Sequence, residues 1–300
     1  MHWKKLGQVF EPDGTIPWMT THAAMPFAEH IEGDIFRVYF SSRDEGNRSY
    51  TGSLLLDLNN PKQILHLDTE PLLSPGNLGA FDDSGALASW VVSTAENALM
   101  YYVGFNLGVT VPFRNAVGVA RRNSNGRWER LFEGPIVDRT MHEPHFCASC
   151  CVLPGEDFWR MWYLSCTGWR MRKGKPEHRY HIKYAESSDG INWRRDGFVS
   201  IDFANDHEYA ISRPSVIRDN HRWRMWYSFR GQSYRIGYAE SEDGRQWERL
   251  DGQVGIDVSK TGWDSEMIEY PFVFENKGQR YMLYNGNGYG KTRFGLAVFE

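Results

Sequence analysis

Three hundred residues with 41% hydrophobic content suffice for one large all-β domain or two smaller domains. A net charge of −4, with acids and bases interspersed, gives no electrostatic footprint for nucleic acid, and no window approaches a membrane-spanning apolar run. Aromatic residues make up 15% of the chain, 12 of them Trp, which suits sheets that pack on each other or bind sugars.

The start, Met1-His2-Trp3-Lys4-Lys5, lacks the apolar stretch of a secretory signal, so a cytoplasmic location is expected. After it, one phrase recurs: an apolar strand, an aromatic strand, a third strand, an acidic turn and a Trp. Aligned on the aromatic strand, five copies stand at Phe40, Tyr102, Tyr163, Tyr227 and Tyr284, spaced 62, 61, 64 and 57 residues apart. Each spacing holds four short strands and their turns. The apolar strand before each copy aligns on Pro26, Ser89, Cys150, Pro214 and Pro271. The third strand reads Ala116–Ala120, His181–Ala185, Arg235–Ala239 and Arg293–Ala297, and the fourth begins at Trp128, Trp193 and Trp247.

The last copy stops at Glu300, before its fourth strand, and the missing strand stands at the other end as Trp3-Lys4-Lys5-Leu6-Gly7. A unit of this size cannot bury its own apolar face and must stack on neighbours. The predicted fold is a single five-bladed β-propeller over 1–300, closed by the N-terminal strand pairing into the C-terminal blade, which leaves no open sheet edge. Blades are expected at about 20–75, 82–138, 143–203, 208–258, and 264–300 with 1–10.

The turns Ser188-Asp189-Gly190 before Trp193 and Glu242-Asp243-Gly244 before Trp247 resemble the Asp-box of sialidase-like propellers. Their chemistry reads as structural: Asp bonds the turn backbone, Gly supplies positive φ and Trp fills the gap between blades. The four cysteines, Cys147, Cys150, Cys151 and Cys166, fall within one twenty-residue stretch. A secreted disulfide framework would spread them along the chain, so reduced thiols are expected. On a regular strand His145, Cys147 and Cys151 share one face and Cys150 takes the other. No second Cys/His pair has zinc-ribbon spacing, so core cysteines with one site histidine are preferred over zinc. No cofactor motif is evident; a single ion on the propeller axis, held through His22 or a carboxylate, stays open.

The repeat register also gathers polar residues. Just before the first strand of each repeat stand Asp82-Asp83, His142-Glu143-Pro144-His145, His207-Glu208 with Arg213, and Asp264-Ser265-Glu266 with Glu269. Repeat one offers Thr20-Thr21-His22 and no carboxylate. Glycosidic cleavage needs one protonated carboxyl group and a second carboxylate, and a crowded set of acids can separate their pKa values. The bland alternative is that these acids cap strand ends or pair with Arg213, Arg43 and Arg48. The basic run Trp169-Arg170-Met171-Arg172-Lys173-Gly174-Lys175 reads either as a solvated hairpin tip or as a lid bringing cations to an anionic group.

These segments resemble the five-bladed propellers of glycoside hydrolase families 43, 32, 68 and 130. In arabinanase-like members a base Asp comes from blade one, a pKa-tuning Asp from blade two and an acid Glu from blade three. By position Asp82 or Asp83 matches the second role and Glu143 the third, whereas Thr20–Pro26 holds no counterpart of the first. Phe81–Gly85, His142-Glu143-Pro144, Ser212-Arg213-Pro214, Gly262–Met267 and Tyr284–Gly290 are more closely similar to a bacterial glycosylase-like group. That group is related to the propeller of glucosamine inositolphosphorylceramide transferases and is associated with surface-polysaccharide and nucleotide-sugar biosynthesis. The resemblance implies sugar chemistry inside the cell without naming the reaction. The leading expectation is an enzyme that cleaves or transfers a glycosidic or sugar-phosphate bond, with a carbohydrate or nucleotide sugar as substrate. It implies Asp82, Asp83, Glu143 and Asp264 as catalytic candidates. His22, Arg43, His145, Glu208, Arg213, Glu266 and Glu269 are the substrate-binding candidates. The competing reading is a non-catalytic sugar-binding or interaction propeller without the blade-one base. Oligomeric state is not legible.

Overall fold

The structure, a computed structural model, describes residues 1–94, 97–219, 221–291 and 293–300. The chain begins with β1 (Trp3–Phe10) and then forms four-stranded antiparallel modules. The first holds β2 (Thr21–Glu32), β3 (Ile35–Arg43), β4 (Ser49–Asp57) and β5 (Ile64–Leu67); the second β6 (Gly85–Ser93), β7 (Ala98–Leu107), β8 (Phe113–Arg122) and β9 (Trp128–Arg130). The third holds β10 (Cys147–Leu153), β11 (Trp159–Arg172), β12 (Lys175–Ser187) and β13 (Val199–Ile201). The fourth holds β14 (Ala210–Asp219), β15 (Arg222–Arg230), β16 (Tyr234–Ser241) and β17 (Glu248–Arg249). The fifth holds β18 (Glu269–Asn276), β19 (Gln279–Asn285) and β20 (Phe294–Phe299). Its fourth strand is β1, which pairs antiparallel with β20 from Trp3–Phe299 to Phe10–Phe294, as the repeat register requires. Among the described residues the one helical element is a 3₁₀ turn, Asp251–Gln253, and no helix is long and apolar enough to cross a membrane.

The chain divides into two compact units, Met1–Leu72 with Pro214–Glu300, and Leu73–Arg213. In the first, Trp3, Trp226, Tyr238, Ile268, Met282 and Tyr284 form part of one buried cluster. In the second, Tyr101 and Trp193 meet edge-on at 6.3 Å and the Tyr101 hydroxyl donates to the Gly190 carbonyl at 2.8 Å. Asp189 accepts the N–H groups of Ile191 and Asn192, both at 2.8 Å, so this acidic turn orders its own backbone.

The first strands β2, β6, β10 and β18 are bulged. Met25, Arg213 and Tyr270 each have φ of 54° and each precedes a proline. Proline gives nothing to a ladder and is tolerated inside a sheet at a bulge. In the second unit the register instead skips Ser89, between Ala88 and Trp90, and Ser149, between Ala148 and Cys150. Side chains then replace backbone bonds between neighbouring first strands. Ser89 Oγ donates to the Cys150 carbonyl at 3.0 Å and accepts the Cys150 N–H at 2.9 Å. Ser149 Oγ accepts the Arg213 N–H at 3.3 Å and Ser215 Oγ the Val273 N–H at 2.8 Å. Asn285 does the same for β2, accepting from the Met25 N–H at 2.8 Å and donating to the Ala23 carbonyl at 2.7 Å.

The bulge at Ser149 corrects the face assignment expected for the cysteines. Cys147 pairs with Ser165 and Cys150 with Tyr163, so these two share a face, while Cys151 pairs with Trp162 and takes the other. One extra residue reverses the alternation beyond it. All four cysteines are buried and free. Burial pushes the Cys147 and Cys150 thiols up to about 12.

Glycines in the third strands let the landmark aromatics lie flat across them. A Cβ on Gly118 would meet Tyr102 at 2.4 Å and one on Gly237 would meet Tyr227 at 2.5 Å. In the third module the same position is Lys183, which pairs with Tyr163.

Replacing Ser215 by Ala leaves the buried Val273 N–H without its acceptor. The expected loss is about 1–3 kcal/mol of unfolding free energy, read as a lower urea midpoint at unchanged slope.

Candidate functional site

Each landmark tyrosine is fully buried, so its hydroxyl needs a partner. In three modules that partner is an acid paired with a cation; in the second module an acid–cation pair stands beside Tyr102, whose hydroxyl has no hydrogen-bond partner among the described residues. Tyr163 Oη donates to Glu143 at 3.1 Å, and Arg195 pairs with Glu143 at 3.0 Å. Tyr284 Oη donates to Asp264 at 3.1 Å, and Lys5 Nζ lies 2.6 Å from the same carboxylate. Tyr227 Oη donates to Asp251 at 2.5 Å, and Arg249 pairs with it at 2.6 Å. Asp82 pairs with Arg130 at 2.8 Å, with the Tyr102 ring beneath that guanidinium. The four cations stand 5.6–6.0 Å from the centroids of their tyrosine rings.

Arg130, Arg249 and Lys5 come from fourth strands and Arg195 from the segment before β13, each two residues after a Trp: Trp128, Trp247, Trp3 and Trp193. Sequence reasoning missed them; their constant offset from the tryptophans was the available signal. The first module has Phe40 at the landmark, no hydroxyl to satisfy, and no acid at the matching place.

Glu143 carries the densest set. Ser165 Oγ donates to it at 2.8 Å and Lys183 Nζ pairs with it at 3.0 Å, besides Tyr163 and Arg195. Burial works to raise its pKa, but the bonds from Ser165 and Lys183 and the charges of Lys183 and Arg195 outweigh it, and the carboxyl is held below its ordinary value. His181, on the same strand as Lys183, faces Asp202 at 3.1 Å. Desolvation lowers its pKa despite the Asp202 bond and charge.

The other candidates scatter in environment. Asp83 accepts from Asn106 and Ser84, both at 2.8 Å, and from the Gly79 N–H at 3.1 Å; desolvation opposes these bonds, yet its pKa is lowered. Buried Glu208 accepts the Ala204 N–H at 2.9 Å. Arg213 is fully buried and its guanidinium donates to the Ser89 carbonyl and, at 3.2 Å, to Ser89 Oγ. His145 is half-buried and Glu266 is exposed, holding Asn287 through its backbone N–H at 2.8 Å. Among the described residues no group of three His, Cys, Asp or Glu side chains could hold a metal ion.

Glu269, at the start of β18, differs from every acid above. It is fully buried, and neither carboxyl oxygen has a hydrogen-bond partner among the described residues. Desolvation raises its pKa well above the ordinary value, against the pull of the Arg230 charge. Arg230 stands over Tyr234 at 5.4 Å and over Tyr289 at 5.5 Å.

In the same unit His22, Arg43 and Lys291 gather at the start of β2. The His22 N–H is bound to the Lys291 carbonyl at 3.1 Å, and the Ala23 N–H to Gly290 at 2.8 Å. A Cβ at Gly290 (φ 71°) would strike Asn285 at 2.5 Å, so only glycine lets this loop lie against β2. Desolvation first, then the charges of Arg43 and Lys291, lower the His22 pKa to about 4. Arg43 is itself lowered by desolvation and raised by Tyr270, the neighbour of Glu269. Among the described residues no carboxylate forms an ion pair with His22, Arg43 or Lys291. His22, Tyr270 and Tyr289 all hold left-handed backbone, with φ of 68°, 54° and 63°.

Comparison with known proteins supplies kinship. No family model matches the chain. It is 46% identical over 300 residues, the full length of both proteins, to the uncharacterized protein Rv1502 of Mycobacterium tuberculosis strain ATCC 25618 / H37Rv. An uncharacterized protein of strain CDC 1551 / Oshkosh matches equally, at 46% over the full length of both. The chain belongs to the family of these mycobacterial proteins. Among solved structures, a complex of BT0996 with RGII matches with TM-score 0.76 at 15% identity, over 99% of this protein and 91% of that one. A structure from the GH130 mannoside phosphorylase family, described as containing glycoside hydrolases that target β-1,2 mannosidic linkages in Candida mannan, gives 0.75 at 15%, over 99% and 93%. A thermostable family-43 glycoside hydrolase gives 0.69 at 15%, over 97% and 94%. The fold of this family is therefore the all-β propeller fold of glycoside hydrolases.

Two titrations test the cluster. Glu269 binds its proton more tightly folded than unfolded, so its contribution to stability is full below the ordinary Glu pKa and declines as pH rises toward the folded value. Glu269→Gln should flatten that alkaline-side decline in Tm. His22 has the opposite sign: its folded pKa lies below 6.5, so stability falls as pH drops from 6.5 through about 4. Its imidazole NMR signals should remain those of the neutral ring down to about 4, and His22→Gln should remove that acid-side slope.

Proposed function

We propose that this family acts on carbohydrate, cleaving or transferring a glycosidic or sugar-phosphate bond, with Glu269 as proton donor and His22 as proton acceptor. The observation that carries the reading is a buried, partnerless carboxyl with a raised pKa in the same unit as a cation cluster without carboxylates. General acid–base work needs one group that still holds a proton near neutrality and another that has already lost it. Glu269 meets the first condition and neutral His22 the second. Arg43 and Lys291 favour a substrate, or an attacking group, that carries a phosphate or carboxylate. The likeness to glycoside hydrolases and a mannoside phosphorylase family supports a sugar as the remainder.

In this reading Glu269 gives its proton to the leaving oxygen as the bond from C1 breaks. His22 takes the proton of the incoming hydroxyl as the new C1–O bond forms. Exposed Tyr289, next to Arg230, moves aside to admit the sugar. On the same reading Asp82, Glu143 and Asp264, expected as catalytic residues from the sequence, serve as salt-bridge partners of Arg130, Arg195 and Lys5. A cytoplasmic role in glycan or nucleotide-sugar metabolism, as in the glycosylase-like group related to glucosamine inositolphosphorylceramide transferases, fits this assignment.

The engagement of those three acids also favours a second reading, a propeller that binds sugar without turning it over. Product analysis over panels of glycosides, sugar 1-phosphates and nucleotide sugars separates the two. For an enzyme, turnover of one class should fall at least about a hundredfold in Glu269→Gln, with the fold retained. Glu143→Gln should chiefly lower Tm. Full turnover in Glu269→Gln with loss in a folded Glu143→Gln would transfer the acid role to Glu143. Binding without product in every panel would establish the second reading.

A further inference from the structure

The second unit carries a feature that sugar chemistry does not use. Leu107 (74%), Met141 (88%) and Met171 (70%) are largely exposed, and Val109 is fully so. They sit on three neighbouring projections: the loop joining β7 and β8, the segment before β10, and the tip of the β11–β12 hairpin. Phe113, at the foot of the first, packs edge-on against Phe146 and Trp169 of the other two, each at 5.5 Å. Leu107, Val109, Asp138 and Arg139 line one cleft of about 410 Å³ between the first two projections. The apolar tips thus stand on a fixed aromatic base. The hairpin ends in a two-residue turn, Lys173-Gly174, with φ of 49° and 76°, which keeps both strands paired to Arg172 and Lys175.

Around these tips the charge is positive although the whole chain carries −4. The hairpin tip presents Arg170, Arg172, Lys173 and Lys175 against Glu177 alone, which pairs with both arginines at 2.8 and 3.2 Å. Lys173 and Lys175 form no ion pair among the described residues, and Arg114 adds a further cation at the cleft.

We infer that this face docks on an anionic lipid surface. Separate apolar tips on a rigid base, interspersed with lysine and arginine, match a bilayer. The tips enter the boundary between headgroups and acyl chains, and the cations remain at the phosphates. A protein partner would instead call for a continuous, shape-complementary apolar core, which separate tips do not offer. A nucleic acid would use the cations and leave the apolar side chains in water.

The test is flotation of the full chain with vesicles of phosphatidylcholine alone and of equimolar phosphatidylcholine and phosphatidylglycerol. Binding is expected on the anionic vesicles only and should weaken as salt rises. The double substitution Val109→Asp and Met171→Asp, with an unchanged Tm, should reduce it roughly tenfold or more. Lys173→Glu with Lys175→Glu should abolish it. Failure to float with anionic vesicles at low salt would overturn the inference. So would binding that the two aspartates leave intact, since that is simple polycation attraction, or tighter retention on duplex DNA than on the vesicles.

Discussion

A tyrosine hydroxyl at the centre of a buried strand has to be satisfied, and three of the five modules meet that demand in one way. An acid from the segment near the first or fourth strand accepts the bond, and a cation two residues after a Trp neutralises the acid. The arrangement ties the inside of each of these modules to its Trp-led segment. An unsatisfied buried hydroxyl costs about 1–3 kcal/mol, and an acid left without its cation costs more. In the fifth module the cation is Lys5, so the N-terminal strand brings the missing charge as well as the missing ladder bonds. Closure of that sheet and neutralisation of Asp264 are one event.

The same logic changes what a row of acids in register means. Repetition at a fixed position is the mark of a shared requirement, and for Glu143 and Asp264 that requirement is the tyrosine; Tyr227 takes Asp251 instead of the in-register Glu208. Phe40 removes it from the first module, and the acid disappears with it. A catalytic residue belongs to one place and should break the pattern. Glu269 does so, being an acid with neither tyrosine nor cation bonded to it. Lys183 also breaks it, standing where Gly118 and Gly237 lie under their tyrosines and giving Glu143 a second cation.

Much of the fold was legible because its determinants are periodic. The aromatic landmarks, the Trp-led fourth strands and the stray Trp3 strand gave the strand order and the pairing of β1 with β20. The site was less legible. Spacing places Asp82, Glu143 and Asp264 at equivalent positions but is silent on which cation faces each, because Arg130, Arg195 and Lys5 arrive from segments 48 to 259 residues away. Simple alternation also fails at the bulges, as the exchanged faces of Cys150 and Cys151 show. Burial of a carboxyl with nothing to bond is a tertiary property and leaves no trace in composition or period.

Backbone strain follows from local turns and bulges, and the pointers to the candidate site are the groups left unpaired. Left-handed φ at a residue other than glycine is unfavourable and persists only where surroundings enforce it. Three of the eight such residues among those described, Met25, Arg213 and Tyr270, stand before the prolines of first strands. Lys173 and Lys277 each precede a glycine in a hairpin turn, and Asn47 is a type that tolerates the conformation. His22 and Tyr289 remain, and each has a local cause. Tyr289 and Gly290 are the central residues of the turn closed by the Lys291 N–H on the Gly288 carbonyl, and His22 lies in the register shift between Thr21 and Ala24. Among the described residues, a carboxyl without a hydrogen-bond partner and cations without paired carboxylates coincide in the one unit. No demand of the repeated fold accounts for that coincidence, and a ligand would account for both.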